Sequence, residues 1–243
     1  MTPDQQMSLV EHLAELRYRL ILALAGIGVG MAIGIWQSEL LLEIIRRPIV
    51  PHLGPNGALV FTGVMDKFMA HLKVGALGGL VLSCPWWLYQ VWKFISPGLY
   101  KNERRFAAGF IFSGTALFLC GVSFVYYVVY PAAFQYLMGV GGNVDKPMIT
   151  IEEYLSFFAT TTILFGLSFE LPLVLVLLAM MGIIDADFLK RQRRMAIPGL
   201  ALVAAVITPP DALSMLMMLV PMVLLYEASI IVIQLIVKKP EAQ

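Results

Sequence analysis

The chain has 243 residues, of which 59% are hydrophobic and 14% charged. Its mean hydropathy of +0.82 excludes an ordinary soluble domain, in which about a quarter of residues are charged. A net charge of +1 points to no partner by itself, so the placement of the charges carries the information.

Long uncharged runs alternate with short charged clusters, as in a polytopic membrane protein. At 1.5 Å rise per residue, about 20 residues cross a hydrocarbon layer of ~30 Å. Six stretches are read as spans: 20–38, 74–92, 106–129, 154–181, 195–209 and 213–236. The fifth is short and is read as a span paired with the sixth. The expected fold is all-α, one six-span membrane domain covering residues 1–243.

In chain order, "SLVEHLAELRYRL" predicts a short amphipathic helix, with Ser8 and Glu11 as a capping box. Leu9, Leu13, Leu16 and Leu20 form its apolar stripe, and Glu11, Glu15 and Arg19 lie four apart on another face. The first apolar run lacks a small-residue cleavage site, so no cleavable leader is expected. In the segment between the first two spans, "RRPIVPHLGPNG" forbids a continuous helix. "GVMDKFMAHLK" then predicts an amphipathic helix running into span two, with Val64, Phe68 and Leu72 on its apolar face. "KFISPGLYKNERRF" is a turn between spans two and three. The third span is expected to stop before Pro131. Residues 131–153 form a second outside segment, which with the first makes a cap. In "GIIDADFLKRQRR", Asp185 or Asp187 can cap a short helix. "TPPD" is a tight turn.

With six spans and both ends on one side, Lys and Arg divide unequally. Arg17, Arg19, Lys93, Lys101, Arg104, Arg105, Lys190, Arg191, Arg193, Arg194, Lys238 and Lys239 share the side of the termini. Arg46, Arg47, Lys67, Lys73 and Lys146 lie on the other. This bias places both termini in the cytoplasm.

Enzyme chemistry finds no support. His12, His52 and His71 lie outside the spans without partners at metal-ligand spacing, and Cys84 and Cys120 are read as packing residues. No nucleotide loop or nucleophile elbow is present, and no cofactor, metal or nucleic acid is expected. Glu170 stands alone inside a long apolar run. An ionised acid at mid-bilayer costs at least ~2.5–3.5 kcal/mol, so it is either satisfied by a neighbouring helix or offered to a substrate or partner. Pro172 bends the helix beside it. Glu227, nearer a helix end, reads as a packing or interfacial residue. Glu15 and Glu103 lie at the cytoplasmic surface. Two adjacent carboxylates would bind two guanidinium groups bidentately, but spacing alone favours pairing with Arg17, Arg19, Arg104 or Arg105.

Taken together, "HLAELRYRL", Pro48, "YQVWKFISPGLYKNERR", "FGLSFELP" and "TPPDALS" resemble the TatC family, the multi-spanning core of the twin-arginine protein translocase. The resemblance covers nearly the whole chain. It implies a bowl-shaped bundle of six helices in the bacterial inner membrane, capped by periplasmic loops. It implies recognition of signal peptides with consecutive arginines on folded cargo, TatA- and TatB-type single-span partners, an oligomeric receptor complex in contact with membrane lipids, and drive by the proton-motive force. By motif match, Glu15 and Glu103 accept the signal arginines, with Arg17 and Phe94 on the same surface. Glu170 is the intramembrane acid facing the concavity, and Pro48, Tyr126 and Asp211 belong to the periplasmic cap and activity. Met215 stands where many relatives have Gln, near the expected docking site of a partner helix, and Glu227 is the other candidate for that docking site. A proton-coupled carrier using Glu170 and Glu227, or a scaffold subunit, are the alternatives; neither inverted repeats nor discontinuous helices are visible in the hydropathy.

Overall fold

The computed structural model describes residues 9–53, 58–96, 107–139, 148–208 and 212–236, leaving aside the side chains of Leu9 and Ile207. The described residues are helical apart from short connections and one isolated parallel bridge between Val60 and Thr150. The elements are α1 (Leu9–Trp36), α2 (Ser38–Arg46), α3 (Asp66–Leu82), α4 (Cys84–Ile95), α5 (Ala107–Phe124), α6 (Tyr130–Gly139), α7 (Ile151–Phe169), α8 (Leu171–Met180), α9 (Ala186–Ile207) and α10 (Ala212–Ile236). Helices dominate because hydrocarbon offers no partner for backbone N–H and C=O groups.

Four stretches are long and apolar enough to cross a membrane: Val10–Trp36, Ala107–Gly139, Ile151–Met180 and Ala212–Ile236. Counting the bent pair α3–α4 as one span makes five. In α9 the leading half carries Lys190, Arg191, Arg193 and Arg194, which leaves only its second half apolar.

Several expected boundaries are corrected. The amphipathic helix and span one are a single helix, α1, and Leu13, Leu16 and Leu20 are exposed rather than packed. Ser8 of the expected capping box lies outside the described residues. Val64 precedes α3, and both Val64 and Phe68 are exposed. Span two is broken at Ser83, where α3 and α4 meet at 56°. Pro85 follows, and the steric demand of a proline ring disfavours continued helix just before it. The third span does not stop before Pro131. Five residues, Val125–Val129, form a wider turn in which the Tyr130 N–H bonds Val125 O, and the helix continues to Gly139. Extra width at a bulge lets a helix pass a residue that lacks an N–H. Span four begins at Ile151 rather than Tyr154, with Thr150 accepting from Glu153 N at 3.2 Å and donating to Glu153 Oε2 at 3.0 Å. Asp185 does cap a helix, accepting from Phe188 N, but that helix is the whole of α9.

Helices α1 and α3 pack backbone to backbone. A Cβ added at Gly30 would lie 2.6 Å from Gly79 O, and one at Gly34 would lie 2.6 Å from Gly75 O. Small residues four apart on both helices permit this approach, which maximises dispersion contact where lipid supplies no hydrophobic drive. Gly28, on the same helix, faces open space. Beyond the bend, Trp86 covers Gly26 and donates to Leu22 O at 2.8 Å.

At the α2 end of the bundle, the outside segments are tied together. Val60 N donates to Ile149 O and Ile151 N to Val60 O, both at 3.0 Å. Lys73 reaches Glu152 at 3.2 Å and Ser156 at 2.9 Å. Beneath them Tyr130, Phe134, Tyr154 and Phe158 form a buried aromatic cluster, with Tyr130 and Phe158 stacked at 4.4 Å. Pro48 ends α2, and because it has no N–H it leaves Ile44 O without its usual donor four residues on. Ile49 N bonds Arg46 O instead, which strands Ile45 O as well. Arg47 N reaches Ile44 O at 3.2 Å, and two tyrosines from elsewhere add donors to Ile44 O and Ile45 O. Tyr126 Oη donates to Ile44 O at 2.9 Å, and Tyr154 Oη donates to Ile45 O.

Two outcomes follow for stability in detergent, read from thermal loss of the monodisperse protein. Gly30→Ala destabilises by about 1–3 kcal/mol, since the partner is rigid backbone, whereas Gly28→Ala is neutral or gains up to about 1 kcal/mol of helix propensity; equal effects at the two sites would contradict the seam. Tyr126→Phe costs about 0.5–1.5 kcal/mol, because Ile44 O loses one of two donors and keeps Arg47 N, and costs less in a Pro48→Ala background, where residue 48 regains an N–H; identical costs in both backgrounds would show that the hydroxyl is not standing in for that donor.

Candidate functional site

The bend at Ser83 turns α4 out of line with α3, so that α4 lies across α1 and α5 with its aromatic residues near α8. Trp92, Phe110 and Leu177 form a small cluster that joins α4, α5 and α8. Beside it runs a groove of about 510 Å³. Leu88, Val91 and Phe94 of α4, Phe110 of α5, Leu173, Val174, Leu177 and Leu178 of α8, and Met181 line it. His12 and Glu170 are its two ionisable lining residues among the described ones. Ile95 and Met180 pack on the same cluster, so the ends of α4 and α8 lie level at one mouth of the groove.

Glu170 occupies the break between α7 and α8. Its backbone is satisfied: its N–H bonds Leu167 O at 3.1 Å and its carbonyl accepts from Val174 N at 3.0 Å. Pro172 sits in the first turn of α8, where its missing N–H is harmless. The side chain differs. Glu170 is 7% exposed, and neither carboxyl oxygen has a hydrogen-bond partner among the described residues. Gly114 leaves it room, since a Cβ there would lie 3.3 Å from Oε2. Of the two readings the sequence left open, bonding of this acid to a neighbouring Ser, Thr or Gln is not found among the described residues.

At the mouth, Phe94 is half-buried and stacks on His12 with ring centroids 4.5 Å apart and planes 20° from parallel. This joins the start of α1 to the end of α4. Sequence reading left His12 unassigned, because spacing along one helix reveals nothing of contacts with another. Glu15 is half-buried; Arg19 bonds its Oε1 at 3.3 Å, while Oε2 is enclosed without a partner among the described residues. Arg17 is exposed. Glu103 and Asp211 lie outside the described residues.

At the opposite end, Pro48 and Tyr126 meet through Ile44 O, and Tyr154, which the sequence did not single out, joins them. Met215 is half-buried against the main core. Glu227 pairs with Arg193 at 2.5 Å, in a partly exposed ion pair between α10 and α9. Twelve residues of α10 separate Met215 from Glu227, about 18 Å of helix, so they are not a single contact point.

Residues 11–221 match the protein-family model described as Sec-independent protein translocase protein (TatC). The Sec-independent protein translocase protein TatC of Desulforapulum autotrophicum is 38% identical over 239 residues, spanning 98% of this chain and 88% of that protein. That of Koribacter versatilis is 41% identical over 228 residues, 92% of this chain and 84% of the relative. The Escherichia coli protein is 33% identical over 230 residues, 95% of this chain and 89% of the relative. The crystal structure of the twin-arginine translocase receptor TatC in DDM superposes with a TM-score of 0.81 at 31% identity, covering 92% of this chain and all of that one. The chain therefore belongs to the TatC family, membrane proteins of the Sec-independent protein translocase and not enzymes.

Proposed function

We propose that this protein recognises twin-arginine signal peptides of folded proteins at the cytoplasmic face of the bacterial inner membrane. With TatA- and TatB-type single-span partners, in an oligomeric receptor complex, it mediates their export, driven by the proton-motive force. The bundle is one domain of six spans, α9 being the fifth, bowl-shaped, with both termini cytoplasmic and the α2 end periplasmic. The carrying observation is the apolar groove, which runs from the His12–Phe94 stack at its mouth to Glu170 at depth.

The mouth suits the cationic part of such a peptide and the groove its apolar part. Glu15 and Glu103 take the arginines, because a guanidinium forks onto a carboxylate where an ammonium offers a single point of charge. The unpartnered Oε2 of Glu15 supports this role, and an incoming arginine competes with Arg19 for the other oxygen. Arg17 and Phe94 complete the surface. Pro48, Tyr126 and Asp211 hold the periplasmic cap that keeps α3, α5 and α7 in register. Met215 and Glu227 mark the length of α10 along which a partner helix runs.

Binding of a fluorescent twin-arginine peptide to the purified protein tests the reading. Replacing both arginines by lysine weakens binding by tenfold or more, and Glu15→Gln and Glu103→Gln each erode that preference; equal affinity for the two peptides sinks it. In cells lacking their own TatC, a folded twin-arginine reporter is exported by the wild-type chain and retained in the cytoplasm with Glu103→Ala; undiminished export by that variant would remove Glu103 from the recognition surface.

A further inference from the structure

Glu170 is more than nine-tenths buried, belongs to the wall of the groove, and has neither oxygen bonded among the described residues. The nearby hydroxyl of Thr115 is committed to Ile111 O at 2.7 Å, and that of Ser168 to Leu164 O at 2.7 Å. The cover over the carboxyl is soft. Leu88 Cδ1 and Leu173 Cδ2 approach within 3.0 Å of the point where a Gly114 Cβ would stand, and both are ends of flexible side chains that also line the groove. Among the described residues the other lining side chains beside it are apolar, apart from the indole N–H of Trp87, which is committed to Leu80 O at 3.2 Å.

The geometry points to Glu170 as a specificity-determining acceptor: it selects, among apolar helices entering the groove, those that carry one neutral hydrogen-bond donor, a Ser, Thr, Asn or Gln side chain, level with Gly114. This rests on the reading that the apolar part of a signal peptide occupies the groove. A purely apolar occupant seals the carboxyl away with its hydrogen bonds unmade, while an occupant with a donor at the right height satisfies it. Discrimination arises because a site with a buried polar group rejects ligands that leave it unpaired.

The groove also sets the height. Glu170 and Met181 are separated by 11 residues, and α8 between them is helical, so the acid lies about 16 Å from the mouth. A helical occupant running alongside α8 therefore presents its donor roughly 10–12 residues beyond the residue level with Phe94. Gly114 is the second element of the device, since a Cβ there would already crowd the carboxyl at 3.3 Å.

The test uses the full chain in detergent and a series of fluorescent peptides. Each has an arginine pair followed by an alanine–leucine stretch, with a single Gln walked through it. Affinity is expected to peak over a window of two or three adjacent positions, at least threefold tighter than the peptide without Gln. The window disappears with Glu170→Leu. It also disappears with Gly114→Ser, which keeps the acid and supplies a donor from the chain itself. A flat scan on the wild-type protein overturns the proposal, as does a window that survives either substitution; in both cases the preference for twin arginine over twin lysine still stands. Loss of that preference is a separate result and removes the underlying reading.

Discussion

In hydrocarbon a peptide group must find its hydrogen bond within the protein, and each departure from regular helix in this chain is governed by that requirement. At the end of α2, around Pro48, two tyrosine hydroxyls reach across from the Val125–Val129 turn and from α7 to donate to Ile44 O and Ile45 O. At Ser83 the hydroxyl donates to Gly79 O at 2.7 Å, and the chain turns through 56°. Ahead of Pro131 the helix widens into Val125–Val129 and runs on. The repairs at Ser83 and Val125 are local, while the one beside Pro48 binds elements distant in sequence and serves as a joint of the bundle as much as an interruption.

The joints fix what the long helices leave open. The glycine seam holds α1 and α3 as one unit, and Trp86 extends it past the bend. With α3 committed to α1, the turn at Ser83 aims α4 toward α5 and α8, and the groove is the space left beside their shared cluster. The stack of His12 on Phe94 closes the circuit by returning α4 to the start of α1. The site is therefore assembled from pieces of five helices, none of which carries it alone.

What the sequence made legible follows the same division. Uncharged runs and the length of a bilayer located the apolar segments, and a lone acid followed by proline located the break at Glu170. The continuous run 74–92 concealed the bend at Ser83, because a hydropathy window is blind to direction; Pro85 was the visible signal. The spacing Gly26, Gly30, Gly34 against Gly75 and Gly79 was equally visible and announces close helix contact. "TIEE" announced the true start of α7. His12 and Tyr154 were not legible, since their meaning depends on which helices face one another, and that is settled by packing across dozens of residues.

Glu170 is where the two kinds of polar group part company. Its backbone is bonded on both sides of the break, while both side-chain oxygens are left without partners among the described residues. The other enclosed side-chain atoms without a partner, on Glu15, Arg19, Arg46 and Gln90, are single atoms of their groups. Leaving a buried polar group unsatisfied costs about 1–3 kcal/mol, a large share of a stability that totals only about 5–15 kcal/mol in globular domains. A chain that spends tyrosines on the carbonyls next to Pro48 has the means to satisfy a carboxyl, and Gly114 opposite the acid withholds the side chain that would do so. The arrangement makes sense as a demand placed on whatever fills the groove: the deficit is held in the empty protein and relieved by a suitable occupant, so that the cost carried at rest becomes the measure by which one apolar helix is told from another.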